Sequence, residues 1–189
     1  MVLYLIIILL SLATITTCNL FFTSISTGNV FLFTFVSLFA VVAIDALIAW
    51  IVHSIPEKKI HPFKKFYQTG KRERKFYEKL GIRKWKDIIP ESGKYLCNFA
   101  KDKVERPNDN KYVLKFLVET CYAEIMHEIS FFLGFVLLFM PYRWTIVLPV
   151  CCVNAFLQLL PVMVQRYNRV RLENLYKFNE RRGLKNEES

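Results

Sequence analysis

An imidazole and three carboxylates lie within ten residues of one another in an otherwise apolar stretch of this chain: Glu119, Glu124, His127 and Glu128. On a helix, residues three or four apart share a face, so Glu124, His127 and Glu128 project along one stripe. Histidine titrates near neutral pH, and a carboxylate that orients its ring suits it to take a proton from a hydroxyl. The pattern predicts catalytic residues: His127 as a general base, oriented by Glu124 or Glu128.

Two other roles for this cluster remain open. Glu-x-x-His places two metal ligands on one helical face, but a carboxylate-bridged metal centre needs a second such pair. His53 and His61 do not belong to one, so we expect no metal and no cofactor. Alternatively, the polar side chains only pair with each other and fix the packing of neighbouring helices.

Asp45 and Gln158 are polar residues in two other apolar stretches, at the same depth as His127. Each of the three lies eight residues from the polar residue that marks the cytoplasmic end of its stretch, namely His53, Glu119 or Arg166, which is roughly 12 Å of helix. We therefore expect Asp45, His127 and Gln158 to meet in one polar pocket that opens toward the cytoplasm. Glu119 lies nearer the surface. Ionisable residues inside membrane helices are costly and are functional candidates by default, so Asp45, Gln158 and Glu119 are predicted to bind substrate.

A second cluster, Gln165-Arg166-Tyr167-Asn168-Arg169-Val170-Arg171, follows the last apolar stretch. The guanidinium group is a planar fork that binds phosphate or carboxylate in a bidentate manner. We interpret Arg166, Asn168, Arg169 and Arg171 as a clamp for such a group on a substrate. The alternative is a stop-transfer cluster whose long side chains reach lipid phosphates.

Four apolar stretches position these clusters, at residues 2–22, 30–52, 119–140 and 144–164. About 20 apolar residues of helix cross the hydrocarbon of a bilayer. Backbone groups in lipid must pair within their own segment, which selects helices. The predicted fold class is therefore all-α: a polytopic membrane protein with four transmembrane helices, forming one membrane domain over residues 1–189.

The basic residues predict how these helices are oriented. Residues 1–57 contain no Lys or Arg, whereas segment 53–118 contains 18 and the tail 165–189 contains seven. Basic loops stay in the cytoplasm, so both termini and the basic insert 53–118 are predicted to be cytoplasmic. The net charge of +10 is explained by this topology, and since no recognition module is visible, no nucleic-acid partner is expected.

The insert has local structure of its own. Aromatic residues alternate with charges over Lys64–Leu80, which predicts an amphipathic helix that lies on the membrane with its basic side toward the headgroups. Gly81 is predicted to end it.

Three segments of the chain resemble the glycosyl-4,4′-diaponeurosporenoate acyltransferase family, whose members act in staphyloxanthin-type carotenoid synthesis. They are Tyr77–Pro90, Glu119-Thr120 with Ala123-Glu124 and His127, and Gln165–Arg169 with Arg171. The resemblance implies an enzyme of the cell membrane that transfers a fatty acyl group to a hydroxyl of a glycosylated, carotenoid-like lipid.

The chemistry of the clusters suggests how such a transfer would run. An acyl thioester, acyl-CoA or acyl carrier protein, would be the co-substrate, and membrane lipids the other partners. His127 would deprotonate the acceptor hydroxyl, and Gln158, Asn168 or an arginine would stabilise the oxyanion. The alternatives are an acyltransferase that acts on another lipid or a lipoprotein, and a membrane scaffold without enzymatic activity.

Overall fold

A computed structural model describes residues 2–89 and 104–187 of the chain, with side chains described as far as residue 183. These ranges contain helices and no strand. Four helical stretches are long and apolar enough to cross a membrane: Val2–Phe22, Thr27–His53, Asn110–Phe139 and Arg143–Gly183. The predicted all-α class with four apolar helices is confirmed.

The chain divides into two compact units. The first comprises Met1–Ser54 and Met126–Leu160, and the second comprises Ile55–Ile125 and Pro161–Ser189. Two helices, α5 (Asn110–Leu133) and α6 (Leu148–Glu187), contribute residues to each unit. The single membrane domain over 1–189 stays a prediction.

The first unit contains α1 (Val2–Phe22) and α2 (Thr27–His53). After α5 the chain continues as a 3-10 helix over Gly134–Phe139 and a π-helical turn over Arg143–Val147. A small apolar core joins these elements: Ile15, Val41, Leu137, Ile146, Val147, Val150 and Cys151. Many large apolar side chains of α1 and α2 are instead exposed, as expected for helices whose outer faces contact lipid.

Side chains of α1 donate hydrogen bonds to backbone carbonyls within the first unit. Pro161 carries no N–H, so the carbonyl four residues earlier, at Leu157, loses its helical donor. The Tyr4 hydroxyl donates to that carbonyl at 3.0 Å. The Asn19 amide of the same helix donates to the carbonyls of Ile15 and Thr145, each at 2.8 Å. These bonds join α1 to the other elements of its unit.

The second unit contains the short helices α3 (Lys71–Lys79) and α4 (Ile82–Trp85). The prediction of one helix over Lys64–Leu80 is wrong, because the backbone from Gln68 to Gly70 is extended. The Thr69 hydroxyl in this interruption donates to the Arg166 carbonyl at 2.8 Å. Gly81 has a φ of 69°, a left-handed conformation that glycine adopts without strain, and it ends α3 as predicted.

Helix α5 begins nine residues before the predicted span. The Asp109 carboxylate accepts hydrogen bonds from the backbone N–H groups of Lys111 (2.9 Å) and Tyr112 (3.2 Å), an N-terminal cap that starts the helix at Asn110. The end of the predicted insert, 53–118, is therefore helical. Residues 90–103 of the insert, including the last residue of the Tyr77–Pro90 segment, lie outside the described residues.

Candidate functional site

A chain of hydrogen bonds in the first unit joins three helices through their polar side chains. Gln158 of α6 donates through Nε2 to Oδ2 of Asp45 on α2, at 2.6 Å. Oε1 of the same amide lies 2.6 Å from Nδ1 of His127 on α5. The structure therefore brings together the three residues that the sequence placed at one depth.

This geometry determines which nitrogen of the imidazole carries the proton. A carboxylate only accepts hydrogen bonds, so Asp45 turns the NH2 group of Gln158 toward itself and the amide oxygen toward His127. Because that oxygen can only accept, Nδ1 of His127 must be the donor. In the neutral ring the lone pair is then on Nε2.

Two further polar residues, not predicted from the sequence, lie beside this chain of hydrogen bonds. The buried Asn154, one turn before Gln158, accepts a second bond from Nε2 of Gln158 at 3.3 Å. The buried Ser130 lies beside the Asp45 carboxylate. The sequence spacing could have identified them. Asn154 is four residues from Gln158 and Ser130 is three from His127, and residues three or four apart lie on one helical face.

Gly134 allows Asn154 to lie against the backbone of the segment that follows α5. A Cβ atom at this position would lie 3.0 Å from Nδ2 of Asn154, closer than ordinary van der Waals contact. The small residue therefore helps to place the amide that borders Gln158.

Glu124 belongs to the second unit and has different partners from His127. Its side chain is fully buried, and its two oxygens form ion pairs with Arg166 and with Arg169. The structure therefore gives no support to the hypothesis that Glu124 orients His127: both carboxylate oxygens are committed to guanidinium groups, and an amide, Gln158, contacts the imidazole. The role of Glu128, which is half-buried, stays a prediction.

Arg169 is 1% exposed and its donors are directed into the protein. Besides Glu124, its guanidinium bonds to the hydroxyl and carbonyl of Thr120, each at 3.0 Å, and to the Tyr67 carbonyl at 2.8 Å. Its charged carbon also lies 5.3 Å from the centre of the Tyr67 ring, within the range of a cation–π contact. These contacts compensate the cost of burying a charge.

Arg166 is held in the same network. Its guanidinium donates to both oxygens of Glu73 on α3, at 2.5 and 3.1 Å, in addition to its pair with Glu124. Further bonds of 3.3 and 3.4 Å reach the carbonyls of Phe66 and Gln68. A phosphate could bind to Arg166 or Arg169 only by displacing these partners, so the structure gives no support to a clamp made by these two arginines.

The pKa of Glu73 reflects this pairing. Burial alone would raise the pKa, but the hydrogen bond and the charge of Arg166, together with the Tyr77 hydroxyl at 2.6 Å, outweigh burial and hold it below the usual value of 4.5. Burial raises the pKa of Tyr77, and the hydrogen bond that its hydroxyl donates to Glu73 raises it further.

The other residues of the predicted site lie at different levels of exposure. Glu119 is buried, Asn168 is half-buried and Arg171 is exposed. Glu73 and Thr120 were not expected in the arginine network. Within residues 2–89 and 104–187, no group of three His, Cys, Asp or Glu side chains is arranged to hold a metal ion.

The family model for glycosyl-4,4′-diaponeurosporenoate acyltransferases matches residues 61–178, well over half of the chain. The chain belongs to this family. It is therefore an acyltransferase of carotenoid biosynthesis. The matched range contains the whole arginine network as well as His127 and Gln158, whereas Asp45 lies before it. No curated protein and no solved structure matches the chain.

Proposed function

We propose that this acyltransferase moves a fatty acyl group from a cytoplasmic thioester to a hydroxyl of a glycosylated, carotenoid-like lipid, with His127 as the general base. The family supports acyl transfer in carotenoid biosynthesis. The single observation that carries the role of His127 is its bond to Gln158, since an Nδ1–H donor leaves the basic lone pair on Nε2.

Asp45 supports this role through the amide. Its carboxylate accepts from Nε2 of Gln158 and so keeps the amide oxygen toward the ring. When the imidazole takes up a proton, the amide oxygen of Gln158 accepts a hydrogen bond from the charged ring. The negative charge of Asp45, on the other side of the Gln158 amide, also favours the positive charge of the ring. Oriented hydrogen bonds of this kind stabilise the charge that forms in a transition state.

The proposed reaction is a direct displacement in which protons and leaving group balance. Nε2 of His127 takes the proton of the acceptor hydroxyl, and the hydroxyl oxygen attacks the thioester carbonyl. The tetrahedral intermediate collapses, the carbon–sulfur bond breaks, and the thiolate leaves with the proton that the imidazolium returns. The chain needs no cofactor for this chemistry, because the thioester supplies the activated acyl group.

The donor would be acyl-CoA or an acyl carrier protein, both of which carry phosphate on the thiol arm. Among the predicted clamp residues, the exposed Arg171 and the half-buried Asn168 are the proposed phosphate contacts, since Arg166 and Arg169 are paired inside the protein. Gln158 is assigned to the base rather than to the oxyanion, because its NH2 group already donates to Asp45 and Asn154.

The enzyme would work in the cell membrane, surrounded by membrane lipids, with both termini and residues 53–118 in the cytoplasm. The distribution of basic residues supports this orientation.

The decisive experiment is His127→Ala, assayed in membranes with a labelled acyl thioester and a glycosylated carotenoid acceptor. Removing a general base lowers turnover by about 10²–10⁴-fold. Ser37→Ala is the matched control, because Ser37 is a buried polar residue of α2 whose hydroxyl donates within its own helix, to the Phe33 carbonyl. Undiminished transfer by His127→Ala at equal protein level would exclude His127 from the mechanism.

The acceptor is tested separately by profiling the lipids of cells with and without the gene. Loss of an acylated glycosyl-carotenoid supports the proposed acceptor. Loss of a different acylated lipid or lipoprotein, with carotenoids unchanged, would reject that acceptor while leaving acyl transfer intact.

A further inference from the structure

Helix α3 has two faces of different character, and among the described residues only one of them packs against other elements. On the inner face, Glu73 pairs with Arg166, and Tyr77 packs with Ile82 and Met163. A second stripe, beside the inner face, follows the helical spacing of three and four residues and continues into Leu80, the residue after the helix. It consists of five exposed side chains: Arg72, Lys75, Phe76, Lys79 and Leu80.

The outer stripe combines cations with exposed apolar groups. Phe76 is 56% exposed and Leu80 is 47% exposed, although both are large and apolar. Three cations surround them, and no acidic residue belongs to the stripe: Glu73 and Glu78 lie on other faces, paired with Arg166 and with Arg74 and Arg83. A mixed stripe of this kind matches a surface that is negatively charged at its edge and apolar just beneath.

We propose that the outer stripe of α3 docks on the anionic headgroup layer of the membrane, with Phe76 and Leu80 inserted below the phosphates. Charge complementarity selects this occupant, and so does continuity of the chain, because Arg72 follows the end of α2 at His53 by only 19 residues. Each basic residue near an anionic surface strengthens binding about fivefold. The Glu73–Arg166 ion pair then connects the docked α3 to α6.

The test is amide hydrogen exchange of the full-length protein in nanodiscs made of phosphatidylcholine alone or with about 30% phosphatidylglycerol. We expect exchange of the peptide covering residues 71–80 to slow severalfold when the anionic lipid is added. The slowing should be lost in R72E/K79E and reduced in F76S. R181E/R182E is the matched control, since it changes two exposed arginines near the end of α6 by the same total charge.

Unfolding of each variant in detergent shows whether the inner face is intact. If R72E/K79E unfolds with the parent and still shows the full lipid-dependent slowing, the proposal is wrong. It is also wrong if phosphatidylglycerol leaves exchange of residues 71–80 unchanged in the parent. Slowing that appears only when an acidic acyl carrier protein is added to phosphatidylcholine discs would assign the stripe to a protein partner and overturn the lipid proposal.

Discussion

An amide contacts the imidazole of His127, at the position where many hydrolytic and transfer enzymes place a carboxylate. The amide is useful here because it has a direction: one end donates and the other accepts. Asp45 determines that direction from the far side, so a charge on α2 sets the tautomer of a ring on α5 through a side chain on α6. Loss of the Asp45 charge should therefore lower the rate of acyl transfer even if the shape of the side chain is kept.

Asp45→Asn tests this relay. An asparagine can present its own NH2 group to Gln158, which would reverse the Gln158 amide and move the imidazole proton to Nε2. We expect kcat to fall by at least about tenfold with little change in stability, measured as acyl transfer per mole of folded protein. Ser37→Ala again serves as the control. Full activity of Asp45→Asn would show that Asp45 does not set the tautomer.

Glu124→Gln separates structure from catalysis in the second unit. The substitution removes the carboxylate shared by Arg166 and Arg169, which leaves a buried guanidinium without its counter-charge. Breaking a buried pair by removing one partner costs about 3–5 kcal/mol. We expect a large loss of stability in thermal or denaturant unfolding, while the folded fraction keeps its turnover.

The opposite pattern, normal stability with lost turnover, would return Glu124 to the catalytic role that the sequence suggested. Arg169→Met with Glu124→Met is the informative double variant, because removing both charges avoids the unpaired ion and should recover part of the stability.

At the scale of elements, α1 is attached to its unit by side chains that donate hydrogen bonds to backbone carbonyls. Pro161 interrupts the hydrogen bonds of α6, and Asn19 and Tyr4 connect α1 to carbonyls near that helix. Since few apolar side chains of α1 are buried, these polar contacts account for much of its specific attachment within the first unit.

Tyr4→Phe should therefore weaken the attachment of α1. It leaves the Leu157 carbonyl without a donor but preserves the ring, so we expect a loss of about 1 kcal/mol, measured by unfolding in detergent. Thr14→Val is a suitable comparison, because the Thr14 hydroxyl donates within α1, to the Leu10 carbonyl at 2.8 Å on an exposed face. Equal effects of the two substitutions would contradict a special role for Tyr4.

The contact between α3 and α6 should depend on pH. The pKa of Glu73 is lowered in the folded protein, so its stabilising contribution is present above the unfolded pKa, near 4.5, and is lost as the pH falls through the folded value. Glu73→Gln should be less stable than the parent at pH 7, and the difference should shrink below pH 4.5. A difference that stayed constant down to pH 3 would show that the Glu73 charge is not the stabilising group.

On the scale of the whole molecule, charge is segregated along the chain. The first 57 residues carry no Lys or Arg, and the basic insert and tail carry nearly all of them. The arginines at the end of the fourth apolar stretch divide into two kinds: Arg166 and Arg169 build the second unit, whereas Arg171 remains exposed. Neighbouring arginines of one sequence cluster therefore have different roles: two form ion pairs inside the second unit and one lies on the surface.

Reporter fusions check the orientation proposed for the whole chain. A reporter that is active only outside the cytoplasm should be active when fused after residue 25, and inactive when fused after residue 60 or at the C-terminus. The positive-inside rule predicts this pattern. Activity at residue 60 would reverse the topology and place the thioester site on the wrong side for a cytoplasmic donor.

The sequence by itself determined the four apolar helices, the family and the common depth of Asp45, His127 and Gln158, because hydropathy, motif spacing and helical rise are properties of the chain read in order. It could not determine which carboxylate or amide each polar group would meet. Glu124 lies within one helical turn of His127 in sequence, yet its oxygens are paired with arginines some 40 residues away. Only tertiary structure decided this, since the pairing depends on which helix faces meet, and a buried guanidinium needs a counter-charge more than a neutral imidazole does.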